Sequence, residues 1–128
     1  APYKVIWKAL QNKGMNACVI TEKDGKLILP DHNNVMVECS SLEEAHYLCG
    51  ILNSKIVEEF IDSYISWFKS SHIVEHINIP TFDANDKRHQ EIAKQSILAH
   101  QAVVSNKQDL VIIESKLDSL VIDLLSNN

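Results

Sequence analysis

Glycine and proline are both scarce, three of each in 128 residues. Gly14, Gly25 and Gly50 stand too far apart for a G-x-G-x-x-G turn or a P-loop, so no nucleotide-phosphate cradle is encoded. Cysteine is equally thin. Cys18, Cys39 and Cys49 are odd in number and lack C-x-x-C spacing, which suits reduced, buried thiols in a cytoplasm better than a disulfide framework. Apolar runs are only a few residues long, so no bilayer-spanning segment is expected. A basic stretch followed by an apolar one is also missing at the start, and no signal peptide is expected. Six histidines are present, yet spacing assembles no Ser/His/Asp or Cys/His set, so no catalytic residue is assigned.

Hydrophobic residues make up 45% and charged residues 23%, values that argue against a disordered chain and suit a single globular core. The first residue is Ala rather than Met, which fits a piece cut from a longer chain. Net charge is −5, which argues against a stand-alone, non-specific polyanion binder. Its distribution is uneven. Residues 1–30 set five lysines against Glu22 and Asp24, residues 31–68 set seven acids against Lys55, and residues 69–104 balance. A polyanion is therefore expected at the N-terminal third or the neutral stretch.

Patterning predicts an α+β domain. A small N-terminal antiparallel sheet is followed by helices, one further strand and a C-terminal helical hairpin or long helix. Val5, Trp7 and Ala9 alternate with Lys4 and Lys8, with Ile6 between the lysines. Ala17–Thr21, Lys26–Leu29 and Val35–Cys39 read as further strands, and Asp24-Gly25 is a tight-turn signal. At Ser40-Ser41-Leu42-Glu43-Glu44 two capping boxes overlap and the period changes. Leu42, Ala45, Leu48, Cys49 and Leu52 then form one helical stripe, and Ile56, Phe60, Ile61, Tyr64 and Ile65 the inward side of the next helix. His72–Ile79, rich in β-branched residues and closed by Pro80, is the further strand. Asp83 or Asn85 is the expected cap of a helical region over residues 86–125. There Ile92, Ser96, Ala99, Val103, Asn106, Leu110, Ile113, Leu117, Leu120 and Leu124 form a heptad, as one long helix or two bent near Ser105-Asn106. His89 and His100 fall on its polar side. The expected division is a core domain over 1–104 and a helical extension over 105–128, either packed on it or forming an oligomer seam.

His72-Ile73-Val74-Glu75-His76 matches a zinc-peptidase pattern. On a strand, however, the two histidines lie about 13 Å apart and one metal cannot bridge them; no metal site is assigned. Lys4, Lys8, Lys13, Lys23 and Lys26, with Asn12, Asn16, Asn33 and Asn34, have two readings. They are solvated sheet positions, or they are phosphate and base-edge contacts, since Lys neutralises phosphate and Asn can read adenine with two hydrogen bonds. Lys69-Ser70-Ser71-His72 is a second polar loop of the same chemistry.

Several blocks, in order, carry a resemblance. They are Pro30-Asp31-His32; Glu43 to Ser54, with its E-E-A-x-Y-L and L-N-S elements; Ser71-His72-Ile73; Ile77 to Asp83, with I-x-I-P-x-F; and His89-Gln90-Glu91-Ile92-Ala93. Over about residues 3 to 101 the chain resembles the C-terminal target-recognition part of bacterial N6-adenine DNA methyltransferases, including the fused Type IIG restriction–modification enzymes. It is similar, more loosely, to Type I specificity subunits. The resemblance implies double-stranded DNA as partner and a methyltransferase domain in cis that binds S-adenosylmethionine; this chain would hold no cofactor. The family's N-P-P-Y type catalytic tetrapeptide is absent, because Pro2, Pro30 and Pro80 never pair. Glu43, Tyr47 and Leu52-Asn53-Ser54 are expected to mark fold. DNA-binding residues are therefore assigned by chemistry, to the lysine and asparagine positions above and to Lys69–His72. The alternative is a helical interaction module, a homodimer through residues 92–124 without direct DNA contact.

Overall fold

The computed structural model describes residues 3–8, 17–21, 34–64, 77, 79–105 and 107–126. Strands β1 (Tyr3–Lys8), β2 (Cys18–Thr21) and β3 (Asn34–Cys39) form one antiparallel sheet in the order β2-β1-β3. The expected strand over Lys26–Leu29 and the Asp24-Gly25 turn lie outside the described residues. Register explains the faces. Val5 pairs with Val19 and Val37, and Trp7 with Val35, which puts these apolar side chains on one side, as period-two alternation requires. That side packs into the core, where Val5 and Trp7 are fully buried. The other side pairs Lys4 with Ile20 and Glu38, and Ile6 with Cys18 and Met36.

Helix α1 (Leu42–Leu52) starts at Ser41, whose hydroxyl accepts the Glu44 amide at 3.1 Å. Glu44 in turn accepts the Ser40 amide at 2.8 Å and the Ser40 hydroxyl at 3.2 Å. The second of the two overlapping capping boxes therefore sets the helix, and its Glu reaches one residue further back than the usual reciprocal bond. Residues Ala45 to Leu52 are all buried, so the expected single stripe understates this helix. It is the central element, with the sheet on one side and helix α3 on another, and a helix covered all round reads as apolar all round. Helix α2 (Lys55–Tyr64) turns inward through Val57 and Ile61, whereas Phe60, expected inside, is 40% exposed.

Ile77 has helical backbone and Ile79 to Asp83 are irregular, so the strand expected over His72–Ile79 is not found at its described positions. Ile77, Ile79 and Phe82 instead pack on the core from a connecting segment. Their β-branched character reflects half-burial, which a strand face shares with this kind of packing. Helix α3 (Lys87–Ser105) is capped by Asp86, which accepts the Arg88 amide at 2.8 Å. Asp83, one of the two expected caps, makes an Asx turn with the Asn85 amide instead. Helix α4 (Lys107–Ser126) runs back antiparallel to α3: Lys116 meets Glu91 at 3.5 Å, and Val103 shares a cavity wall with Leu110 and Val111. The heptad therefore folds as a hairpin. Leu117, Val121 and Leu124 of α4 belong to the same buried cluster as Val5, Trp7 and Ile92. Gly50 lets α1 approach both helices, since a Cβ there would meet Ile92 at 3.1 Å and Leu117 at 3.3 Å.

Candidate functional site

The separated sequence blocks meet in space. Tyr47, on α1, donates its hydroxyl to the Pro80 carbonyl at 2.7 Å, stacks on His89 at 4.6 Å and packs a tilted face on Phe82 at 5.2 Å. His89 is buried, and its Nδ1 accepts the Asp83 amide at 2.9 Å while Nε2 lies 3.6 Å from the Asp86 carboxylate. Burial, reinforced by Asp86, pushes the Tyr47 phenol up, so it stays a donor. Sequence placed His89 on the outer face of its helix; the ring is instead the bolt between α1 and the Pro80 segment. Tyr47→Phe keeps the ring contacts and strands the half-buried Pro80 carbonyl. It should lower stability by about 1 kcal/mol in urea titration, with the secondary structure unchanged.

Asn53 ends α1, and its side chain acts as a strand would. Oδ1 accepts the Ala17 amide and Nδ2 donates to the Ala17 carbonyl, both at 2.7 Å. This clamps the entry to β2. Ser54, buried, donates to the Ile51 carbonyl at 2.7 Å, and its own carbonyl accepts the Glu58 amide that opens α2. The L-N-S block thus fixes a strand, a helix end and a helix start with three consecutive residues.

A second polar cluster ties β2 to the helices. The Val19 amide donates to His100 Nε2 at 3.2 Å, so that nitrogen accepts and Nδ1 carries the proton toward the Ser96 carbonyl at 2.8 Å. His46, buried in α1, contacts the Ser96 hydroxyl through Nδ1 at 2.9 Å and meets the His100 ring edge-on at 4.6 Å. Burial, and then the His100 ring, bring His46 down from 6.5 to about 4. Burial also pushes the Cys49 thiol up to about 12, and burial with Glu44 brings Cys39 up to about 11, so neither offers a thiolate. The heptad pattern marks Ser96 as a polar member of the seam and places His100 on the polar side, without linking the two. The missed signal was their spacing: positions four apart on one helical face are neighbours.

Beside this cluster opens a cavity of about 630 Å3 between the start of β2, the end of α1 and the turn end of the hairpin. Gly50, Asn53, Ser96, Val103, Leu110 and Val111 are among its lining residues. Glu58, Glu114 and Asp118 stand around it with Lys55. Asp118 accepts the Lys55 amide at 2.8 Å.

Of the DNA-contact candidates, Asn12, Lys13, Asn16, Lys23, Lys26, Asn33, Lys69, Ser70, Ser71 and His72 lie outside the described residues. Lys4 sits on β1 with Glu38 directly across the ladder, a neighbour that opposes a polyanion. Lys8 and Asn34 are brought together as register partners at the ladder's end. β1 ends and β2 begins at that same end. Among the described residues no group of three His, Cys, Asp or Glu side chains is placed to hold a metal ion, and no helix is long and apolar enough to cross a membrane. The chain matches no protein-family model and no curated protein.

Proposed function

We propose that this chain reads DNA sequence as the target-recognition part of a cytoplasmic bacterial N6-adenine DNA methyltransferase or Type IIG restriction–modification enzyme. In this reading it performs no chemistry; a domain in cis binds S-adenosylmethionine and methylates adenine. The observation that carries it is the convergence of the resembling blocks. E-E-A-x-Y-L, L-N-S, I-x-I-P-x-F and H-x-E-I-A are far apart in sequence, yet Glu44, Tyr47, Asn53, Pro80, Phe82 and His89 all serve as joints of one scaffold. Blocks that recur because a scaffold needs them should show this, and their chance occurrence need not. The sheet end that collects Lys8, Asn34 and the flanks of the Asn12–Asn16 segment supports a contact surface outside that scaffold.

The test is selection from a pool of randomised DNA duplexes on the 128-residue chain at low ionic strength, where phosphate contacts are strongest. A common sequence should be enriched, and Lys8→Ala should lower the slope of log affinity against log salt by about one. Equal recovery of every sequence in the pool would overturn the reading. A second reading, an interaction module, draws on Val111, Ile112 and Ile122, which α4 leaves 66%, 68% and 46% exposed.

A further inference from the structure

The cavity beside the turn end of the helical hairpin has features that the DNA reading does not use. Its volume of about 630 Å3 falls inside the roughly 300–1,000 Å3 of small-molecule sites. Its lining mixes two chemistries. At the turn end of the hairpin Val103 and Val111 stay 60% and 66% exposed, whereas Ile92, Ser96, Leu117 and Leu124 further along the two helices are buried. Val103 follows Ile92, Ser96 and Ala99 on the heptad, and it lines the cavity. Glu58, Glu114 and Asp118 also line the cavity, and among its described lining residues Lys55 is the basic one. His100 adds no free donor for an anion, because both of its ring nitrogens are engaged within the fold, with Val19 and Ser96.

We propose that this cavity binds a small organic cation with an apolar body, an aryl-alkyl or alkyl amine. The apolar body covers Val103, Leu110 and Val111 and removes them from water. The ammonium sits among the three carboxylates, where the local field concentrates cations and repels anions. A carboxylate ligand of the same shape would add a fourth negative charge to the site. Nucleic acid phosphate is excluded from it for the same reason, so this site and the proposed DNA surface have separate ligands.

Amide NMR titration of the whole 128-residue chain tests this, with phenethylamine as probe and hydrocinnamate and phenethyl alcohol as controls of similar shape. The amine should shift resonances around the cavity, including Cys18, Ala99 and Val103, at millimolar concentration, and hydrocinnamate should not. Val103→Trp places an indole in the cavity mouth from an exposed position and should abolish the shifts without lowering the melting temperature; Val111→Trp serves as its replicate from the other helix. Glu114→Gln should weaken the amine about two- to fivefold, the worth of one partly exposed charge, and leave the alcohol unchanged. The proposal is overturned by an amine that shifts nothing near the cavity, by hydrocinnamate binding as well as the amine, or by shifts that persist in both Trp variants. Success or failure here leaves the outcome of the duplex selection untouched.

Discussion

Leu124→Ala should cost about 3 kcal/mol, and Leu117→Asp combined with Leu124→Asp should leave no folded chain. Leu124 is fully buried and Leu117 is 5% exposed, both in the cluster that holds Val5, Trp7, Tyr47 and Ile92. Removing three carbons at such a site loses the transfer energy of the side chain and leaves a cavity behind, for about 2–5 kcal/mol. A carboxylate at either position costs several kcal/mol more, since among the described residues no Lys or Arg is buried to pair with it. Two of them rival the roughly 5–15 kcal/mol that holds an ordinary domain. Circular dichroism and urea titration measure the first change, and loss of a cooperative melt the second. If α4 were an extension whose apolar stripe met another molecule, the double variant would give a folded monomer in sedimentation. That outcome would move Leu117 and Leu124 out of the core. A dimer through the exposed side of α4 would use Ile112 and Ile122, and Ile112→Asp with Ile122→Asp would break it without touching the fold.

The same helix shows what the sequence made legible and what it did not. The alternating four-and-three spacing from Ile92 to Leu124 correctly marked an apolar seam, because helical geometry alone sets that period. It could not say whether the seam closes within the chain. That depends on whether another element fills the space between the two helices, and Gly50 on α1 does so. The sheet was legible for a similar reason: Val5, Trp7, Val19, Val35 and Val37 alternate, and alternation fixes faces. Ile77 and Ile79 misled, because β-branched residues suit any half-buried surface and these pack on the core without joining the ladder. Polar joints were the least legible. His46, His89, Ser96 and His100 look alike as surface residues until their partners are known, and each partner lies on another element. Asn53 was readable as punctuation but not as a clamp on Ala17, thirty-six positions away. Of the candidate DNA contacts, only the pairing of Lys8 with Asn34 follows from strand register.

Acid should loosen this protein well before its exposed carboxylates are neutralised, and His46 should be the cause. The unfolded chain takes up a proton on His46 near pH 6.5, while the folded chain resists it until about pH 4. Across that window the unfolded state binds more protons, so stability is intact above pH 6.5 and falls as pH drops toward 4. A depression of this size corresponds to a loss on the order of 3 kcal/mol, a large share of a domain's margin. The geometry says where the loss would act. An imidazolium at His46 would sit buried against the His100 ring, which already accepts the Val19 amide, so the charge would strain the contact between β2 and the helices. His46→Gln keeps a polar partner for Ser96 without a titrating ring. The variant should lose little stability between pH 6.5 and 4, while the wild type loses most of its margin. Asp86 and Glu91, whose carboxyls are held below the ordinary range by hydrogen bonds from Arg88 and Gln95 respectively, are present in both proteins, so their contribution cancels in the comparison. Urea midpoints measured across the window for both proteins decide it. Parallel curves for wild type and variant would mean that His46 accepts its proton in the folded state at no cost, and that the cluster around Ser96 is open to water.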